Sequence, residues 1–275
     1  MSLAEDARFA REIAERAGRL LHERYERVET IDYKSAKDVV TEVDHLSEEM
    51  VLGALRERFP TDGILAEESG AHHGATSSVT DAAGATARAL ASGRTWIVDP
   101  LDGTINYANG IPFFCVSVAL VVDGTPAVGV VVDPMRGDTF WATADGPAML
   151  GEREIHASRK ADIGDWVISL ALGGRALATR SKAVRGAVRA SRNTGSAALA
   201  LAYVGNGRYD AFIQSAGMSA WDIAAAGLIA ERAGARVTDP AGGPWFDVDK
   251  ATATVGLVAA PPSHHERLLR LSHPR

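Results

Sequence analysis

The stretch FFCVSVALVVDGTPAVGVVVDP, Phe113 to Pro134, sets two runs dense in β-branched residues on either side of Asp123-Gly124. Branched side chains pack well on a pleated surface, and Asp-Gly tolerates the positive φ angles of a tight hairpin turn. The middle of the chain is thereby committed to an antiparallel sheet. DTFWAT, Asp138 to Thr143, reads as a further strand of it.

Helical patterns flank this sheet. Leu3, Ala7, Ala10, Ile13, Ala14, Ala17 and Leu21 share one face of an amphipathic helix over 3–27. A second helix is expected from about Asp44 to Phe59, broken by Pro60-Thr61-Asp62-Gly63. GILAEE then reads as a short strand ending in Glu67 and Glu68. Residues 71–93, rich in Ala, Gly, Ser and Thr, read as a mobile surface loop with His72 and His73 exposed in it. Further on, DWVISLAL, YDAFI, RVTD and ATVGLVAA read as strands. Ser196 to Tyr203, Trp221 to Ala233 and SHHERLLRL read as helices. Hairpins mixed with alternating helices and strands favour a layered α/β (α+β) arrangement over a pure parallel sheet. No repeat or linker marks separate domains, so the expectation is one domain with approximate halves 1–148 and 149–275.

A hydrophobic fraction of 46% with 23% charged residues suits a soluble protein with a substantial core. The net charge of −6 gives no general attraction to nucleic acid or anionic membrane. The lone cysteine, Cys115, excludes an intrachain disulfide and reads as a buried, inert thiol. No signal-peptide or membrane-spanning pattern is present, and a cytoplasmic location is expected.

The chemistry concentrates in WIVDPLDGTINY, Trp96 to Tyr107. Asp99 ends an apolar segment, where an acid is costly unless it is hydrogen-bonded, paired or metal-bound. Asp102 follows across Pro100, and Gly103-Thr104 adds a permissive backbone and a hydroxyl. A plain Asp-Pro-Gly turn would explain DPLDGT as well. The second acidic tip at Glu67-Glu68 and the acid Asp222 in AWDIAAAGLIAERAG tilt the balance, because hard divalent cations gather carboxylates from separate elements. Asp222 also fits a first-turn helix acid. The Asp-x-Asp-Gly-Thr motif of haloacid dehalogenase-like phosphatases does not match, since one extra residue separates the two acids here.

The ordered motifs KSAKDVVTEVD, AEES, WIVDPLDGTINYANGIPFF and WDIAAAGLIAERAG resemble the inositol monophosphatase family along nearly the whole chain. The resemblance implies the family's layered α-β-α-β-α sandwich, shared with fructose-1,6-bisphosphatases, and commonly a homodimer. It implies two or three Mg²⁺ ions held by Glu67, Asp99, the Leu101 carbonyl, Asp102 and Asp222. The all-oxygen donor set, without a His/Cys group, agrees with a hard cation. Hydrolysis of a phosphate monoester by metal-activated water is expected, without a covalent enzyme intermediate. By resemblance, Glu67 and Thr104 aim the water, Asp44 accepts from the Thr104 hydroxyl, and Gly103 and Thr104 offer backbone N–H groups to phosphate. Asp44 also fits the N-cap of the second helix, and Lys34 fits a solvated surface residue.

Family members acting on inositol phosphates bind sugar hydroxyls through a Gly-Thr-Ala-like segment and an acid before Trp-Asp. Gly195-Ser196-Ala197 matches the first, and Ser196 also fits a helix N-cap. Gln214 stands where the acid is expected, one residue further from the Trp. The substrate expected is a small phosphorylated polyol, inositol 1-phosphate first, touching Asp102, Gly103, Thr104, Gly195, Ser196, Ala197, Gln214 and Asp222. Histidinol phosphate, fructose 1,6-bisphosphate and 3′-phosphoadenosine 5′-phosphate are the alternatives within the class. A non-catalytic metal- or phosphate-binding sensor is the alternative outside it.

Overall fold

Helix α1 (Leu3–Arg24) starts at a reciprocal cap: the Ser2 hydroxyl accepts from Glu5 N–H at 3.4 Å and the Glu5 carboxylate accepts from Ser2 N–H at 3.0 Å. The computed structural model describes residues 2–28, 30–35, 38–73, 77–78, 93–173, 178–247 and 254–272. A small hairpin, β1 (Ile31–Ser35) with β2 (Asp38–Thr41), leads into α2 (Glu42–Arg58). The cap of α2 is Thr41 rather than Asp44: Asp44 sits one turn in, and its carboxylate accepts from Thr41 N–H at 2.9 Å. Asp44 is buried by that placement.

The expected hairpin is the centre of a nine-stranded sheet. Strand β7 (Cys115–Val122) pairs with β8 (Thr125–Asp133) across Asp123-Gly124, whose φ angles of 46° and 79° are both positive, as a type I′ turn requires. Strands β3 (Gly63–Ala66), β4 (Gly70–His73), β5 (Ser77–Ser78), β6 (Arg94–Asp102), β9 (Asp138–Thr143), β10 (Met149–Leu150) and β11 (Arg153–Glu154) complete the order β11-β10-β9-β8-β7-β6-β3-β4-β5. Only β3 and β6 run parallel. The expected 71–93 loop is corrected at its start, since 70–73 pair with β3 as strand β4 and so carry the backbone of His72 and His73. The rest of that expectation lies outside the described residues, apart from β5 and Gly93.

Strand alternation sorts the two faces of this sheet. Trp96, Val98, Val116, Val118, Val128 and Val130 face α1 and α2. Ile97, Ala119, Val121, Val131 and Phe140 face the other way, into a core shared with α5 (Ala197–Gly205) and α6 (Ala220–Arg232). Gly129 permits that contact: a Cβ there would stand 2.6 Å from the Ala225 carbonyl oxygen.

Beyond α5 and α6 lies a second sheet of β12 (Val167–Ala171), β13 (Ala190–Arg192), β14 (Ala211–Met218), β15 (Arg236–Thr238) and β16 (Val255–Ala260), ordered β13-β12-β14-β16-β15. Helices α4 (Ala178–Ala187) and α7 (Pro262–Ser272) cover its outer face through Val184 and Leu268. The layers run α-β-α-β-α. No helix among the described residues is long and apolar enough to cross a membrane.

Candidate active site

In a regular strand, residues three apart point to opposite faces, so Asp99 and Asp102 should diverge. They converge because β6 slips register against β7 between these two positions, a bulge at the strand end. Asp99 Oδ1 then accepts from Leu101 N–H at 3.0 Å, which ties the turn to its own acid. Gly103 closes it with φ of 100°, and a Cβ there would press within 3.2 Å of Phe113 oxygen, Phe114 Cβ and Ser196 Cβ. The five-residue helix α3 (Thr104–Ala108) follows. One turn has little macrodipole, so the Gly103 and Thr104 amides count as individual donors.

Asp222 arrives from the start of α6, where its carboxylate accepts from Ser219 N–H at 2.6 Å. Ligand oxygens of Asp99, Asp102 and Asp222 all lie within 4.8 Å of one another. Asp99 and Asp102 are buried, and none of the three forms an ion pair among the described residues. Burial pushes the Asp99 carboxyl well above the usual range, and the charges of Glu67, Asp102 and Asp222 push it further. Burial and then the Asp102 charge do the same to Asp222. Asp102 also rises through burial, but the Ser196 hydroxyl and Ala198 N–H, each donating to its Oδ2 at 2.6 Å, oppose the shift.

Glu67 lies just past β3, half-buried, with its N–H on the Val98 carbonyl at 3.1 Å and a side-chain hydrogen bond to Asp99. The Thr104 hydroxyl stands 3.0 Å from both Asp44 Oδ1 and the Leu101 carbonyl. A hydroxyl has one proton, and the carboxylate is the stronger acceptor. The Thr104 oxygen then keeps lone pairs for another donor.

With this geometry in hand, the comparisons decide the family. The sequence profile of the inositol monophosphatase family matches residues 2–275. The chain belongs to the inositol monophosphatase family. It is 35% identical to a Nus factor SuhB of Pasteurella multocida, over 95% of this chain and 93% of that protein. It is 32% identical to an inositol monophosphatase of Mesembryanthemum crystallinum, over 83% of each. The solved structure of a Thermotoga maritima IMPase superposes with a TM-score of 0.84 at 30% identity, over 98% of this chain and 96% of that one. The family assignment makes this a phosphomonoesterase of the inositol monophosphatase type, and the family uses Mg²⁺.

The donor set fits such an ion. Three carboxylates, drawn from two elements and without a counter-cation among the described residues, form a hard all-oxygen set.

On one side of the acids, a polar cavity of about 290 Å³ is lined by six of the predicted substrate residues, Asp102, Gly195, Ser196, Ala197, Gln214 and Asp222, whereas Gly103 and Thr104 do not line it. Ser196 caps α5 as expected, accepting from Leu199 N–H at 3.3 Å, and its hydroxyl donates to Asp102. Lys34 lies in β1, its side chain outside the described residues.

Sequence reasoning missed the supports. One turn past Asp44 on α2, the Ser47 hydroxyl donates to the Pro100 carbonyl at 2.9 Å and Glu48 accepts from Glu68 N–H at 2.9 Å. The i, i+3, i+4 spacing of Asp44, Ser47 and Glu48 on one helix face was the available signal. Asn106 joins the two halves, its amide donating to the Phe113 and Thr194 carbonyls at 2.6 and 2.7 Å. Cys115, expected to be inert, is indeed buried, but its Sγ lies 3.9 Å from Asp102 Oδ2, against the site.

Proposed function

We propose that the chain hydrolyses the phosphate monoester of a small phosphorylated polyol, with inositol 1-phosphate first, in an Mg²⁺-dependent reaction. The observation that carries this reading is the convergence of Asp99, Asp102 and Asp222 beside a Thr104 hydroxyl aimed by Asp44. Glu67, Asp99, the Leu101 carbonyl, Asp102 and Asp222 would hold the ions. Bound Mg²⁺ would lower the pKa of water and offset the charge of the phosphoryl oxygens and leaving alkoxide.

The chain's own groups do the positioning. Asp44 holds the Thr104 proton, so the Thr104 oxygen accepts from a water, and Glu67 orients that water from the other side. Gly103 and Thr104 N–H groups donate to the phosphate. Ser196 and Ala198 fix one oxygen of Asp102, leaving the other for a cation. Hydroxyls of the polyol meet the cavity wall of Gly195, Ser196, Ala197 and Gln214. A cytoplasmic homodimer belongs to the same proposal, with light scattering as its test.

Phosphate release with and without Mg²⁺ tests the reading, on inositol 1-phosphate, histidinol phosphate, fructose 1,6-bisphosphate and 3′-phosphoadenosine 5′-phosphate. Inositol 1-phosphate is expected to turn over only with Mg²⁺. Binding of these compounds without turnover of any of them would favour the sensor instead, and activity surviving Asp99→Asn would sink the metal site. Nucleic acid stays outside this reading, which rests there on the overall charge of −6.

A further inference from the structure

The cavity that meets the substrate hydroxyls continues outward. It shares Ala171, Asn193 and Gly217 with a wider groove of about 610 Å³, to which Arg185, Ser215 and Thr254 also belong. Charge changes sign along this path. At the inner end the ionisable lining side chains are Asp102 and Asp222, whereas Arg185 alone is ionisable among the described residues of the outer groove.

Helix α4 sets Arg185 there. Its neighbour Val184 is fully buried under the helix, which leaves Arg185 exposed at the rim. Arg189 is paired with Asp165 and Arg208 with Asp138, but among the described residues Arg185 has no carboxylate partner. The surrounding segment sharpens the contrast: residues 166–209 carry seven Lys and Arg and no Asp or Glu, in a chain of net charge −6. Between the two ends the polar wall is neutral, made by Ser169, Asn193 and Gln214. An acid in place of Gln214 would repel an anion passing that wall, and the amide does not.

We propose that Arg185 reads a second anionic group, so that the cleft also takes small phosphate monoesters bearing another phosphate or carboxylate at the end away from the scissile group. The guanidinium fork matches either anion with two parallel hydrogen bonds. This rests on the phosphatase reading above and adds the substrate's far end to it.

The experiment compares fructose 1,6-bisphosphate with inositol 1-phosphate on the unmodified protein, Arg185→Ala and Lys182→Ala, all with Mg²⁺. Turnover is followed alongside calorimetric binding of the bisphosphate. In Arg185→Ala the ratio of kcat/KM for bisphosphate over monophosphate should fall about tenfold or more, through KM, the scale of a lost charged hydrogen bond. The bisphosphate Kd should weaken in parallel, and Lys182→Ala should leave the ratio where it was. An unchanged ratio and Kd in Arg185→Ala would overturn the proposal. So would equal losses in both variants, which would mark the general field of the segment, or no bisphosphate binding at all. Absence of turnover on every substrate, p-nitrophenyl phosphate included, would overturn the phosphatase reading instead, with the Kd comparison still deciding Arg185.

Discussion

The two ends of the cleft are built by opposite strategies. At the inner end, buried carboxylates crowd together against their own electrostatics, each held by hydrogen bonds: locally by Leu101 N–H on Asp99 and Ser219 N–H on Asp222, and from across the chain by Ser196 and Ala198 on Asp102. At the outer end the lining, Leu170 apart, is half-buried or exposed and neutral or basic, and on the wall between the ends Gln214 makes a 3.3 Å contact to the Ala216 carbonyl. The difference separates chemistry from selection. On the proposed reading, strain that a cation would relieve lies where the ester bond breaks, and adaptable polar groups lie where substrates are told apart.

Removing one inner acid should give the largest effect and split activity from stability. Asp99→Asn deletes a charge that the other acids oppose. Turnover should drop more than about a hundredfold, beyond the loss typical of a residue that only supports a metal ligand. Thermal unfolding without Mg²⁺ should shift upward at neutral pH, and the gain on adding Mg²⁺ should shrink. A lower metal-free Tm in the variant would break the picture of a strained acidic end.

The same strain fixes a pH dependence. Asp99, Asp102, Asp222 and Asp44 all have folded pKa values raised, chiefly by burial. The native state therefore holds protons that the unfolded chain has released, so metal-free stability falls as pH rises from the unfolded value of about 4 through the raised folded values. Mg²⁺ should reverse this at neutral pH, by about 2.7 kcal/mol at a hundred times its Kd, and lose its effect toward acid pH as protons compete. Unfolding scans across pH, with and without Mg²⁺, read both trends.

How much of this was legible follows the same division. The Asp123-Gly124 hairpin and the Gly103 turn could be read because their backbone needs named residues at fixed offsets. The inner acids were readable as a set through their ordered motifs. Their convergence was not, because strand alternation alone sends Asp99 and Asp102 to opposite faces and only the bulge reunites them. Ser47 and Glu48 escaped because a Ser and a Glu on a helix look like ordinary surface polarity until the 99–104 turn is placed against them. Arg185 escaped for the reverse reason: its role depends on which groove α4 borders, and no local pattern carries that.

Ser47 gives a smaller effect that still belongs to the inner end. Ser47→Ala leaves the buried Pro100 carbonyl without that hydroxyl donor. A stability loss of about 1–3 kcal/mol is expected, with turnover reduced about tenfold, the lower range for groups that orient metal ligands. A role in holding the Asp99–Asp102 turn predicts that activity returns partly at raised Mg²⁺. Stability loss alone would leave the Mg²⁺ dependence unshifted.

Gln214 should give the smallest effect and one whose sign depends on the substrate. The extra residue before Trp221 coincides with a register slip of β14 between Gln214 and Met218, where Gly217 takes φ of 87°. The bulge keeps the Gln214 side chain at the cavity wall despite the added residue. Replacing it with Glu supplies a stronger acceptor for polyol hydroxyls, so KM for inositol 1-phosphate should fall a few-fold, about 1 kcal/mol at most. The same carboxylate faces a second anion on its way to Arg185, so KM for fructose 1,6-bisphosphate should rise by a similar factor. If both KM values move in the same direction, the wall is not sorting substrates by charge, and the outer end of the cleft loses its claim to selection.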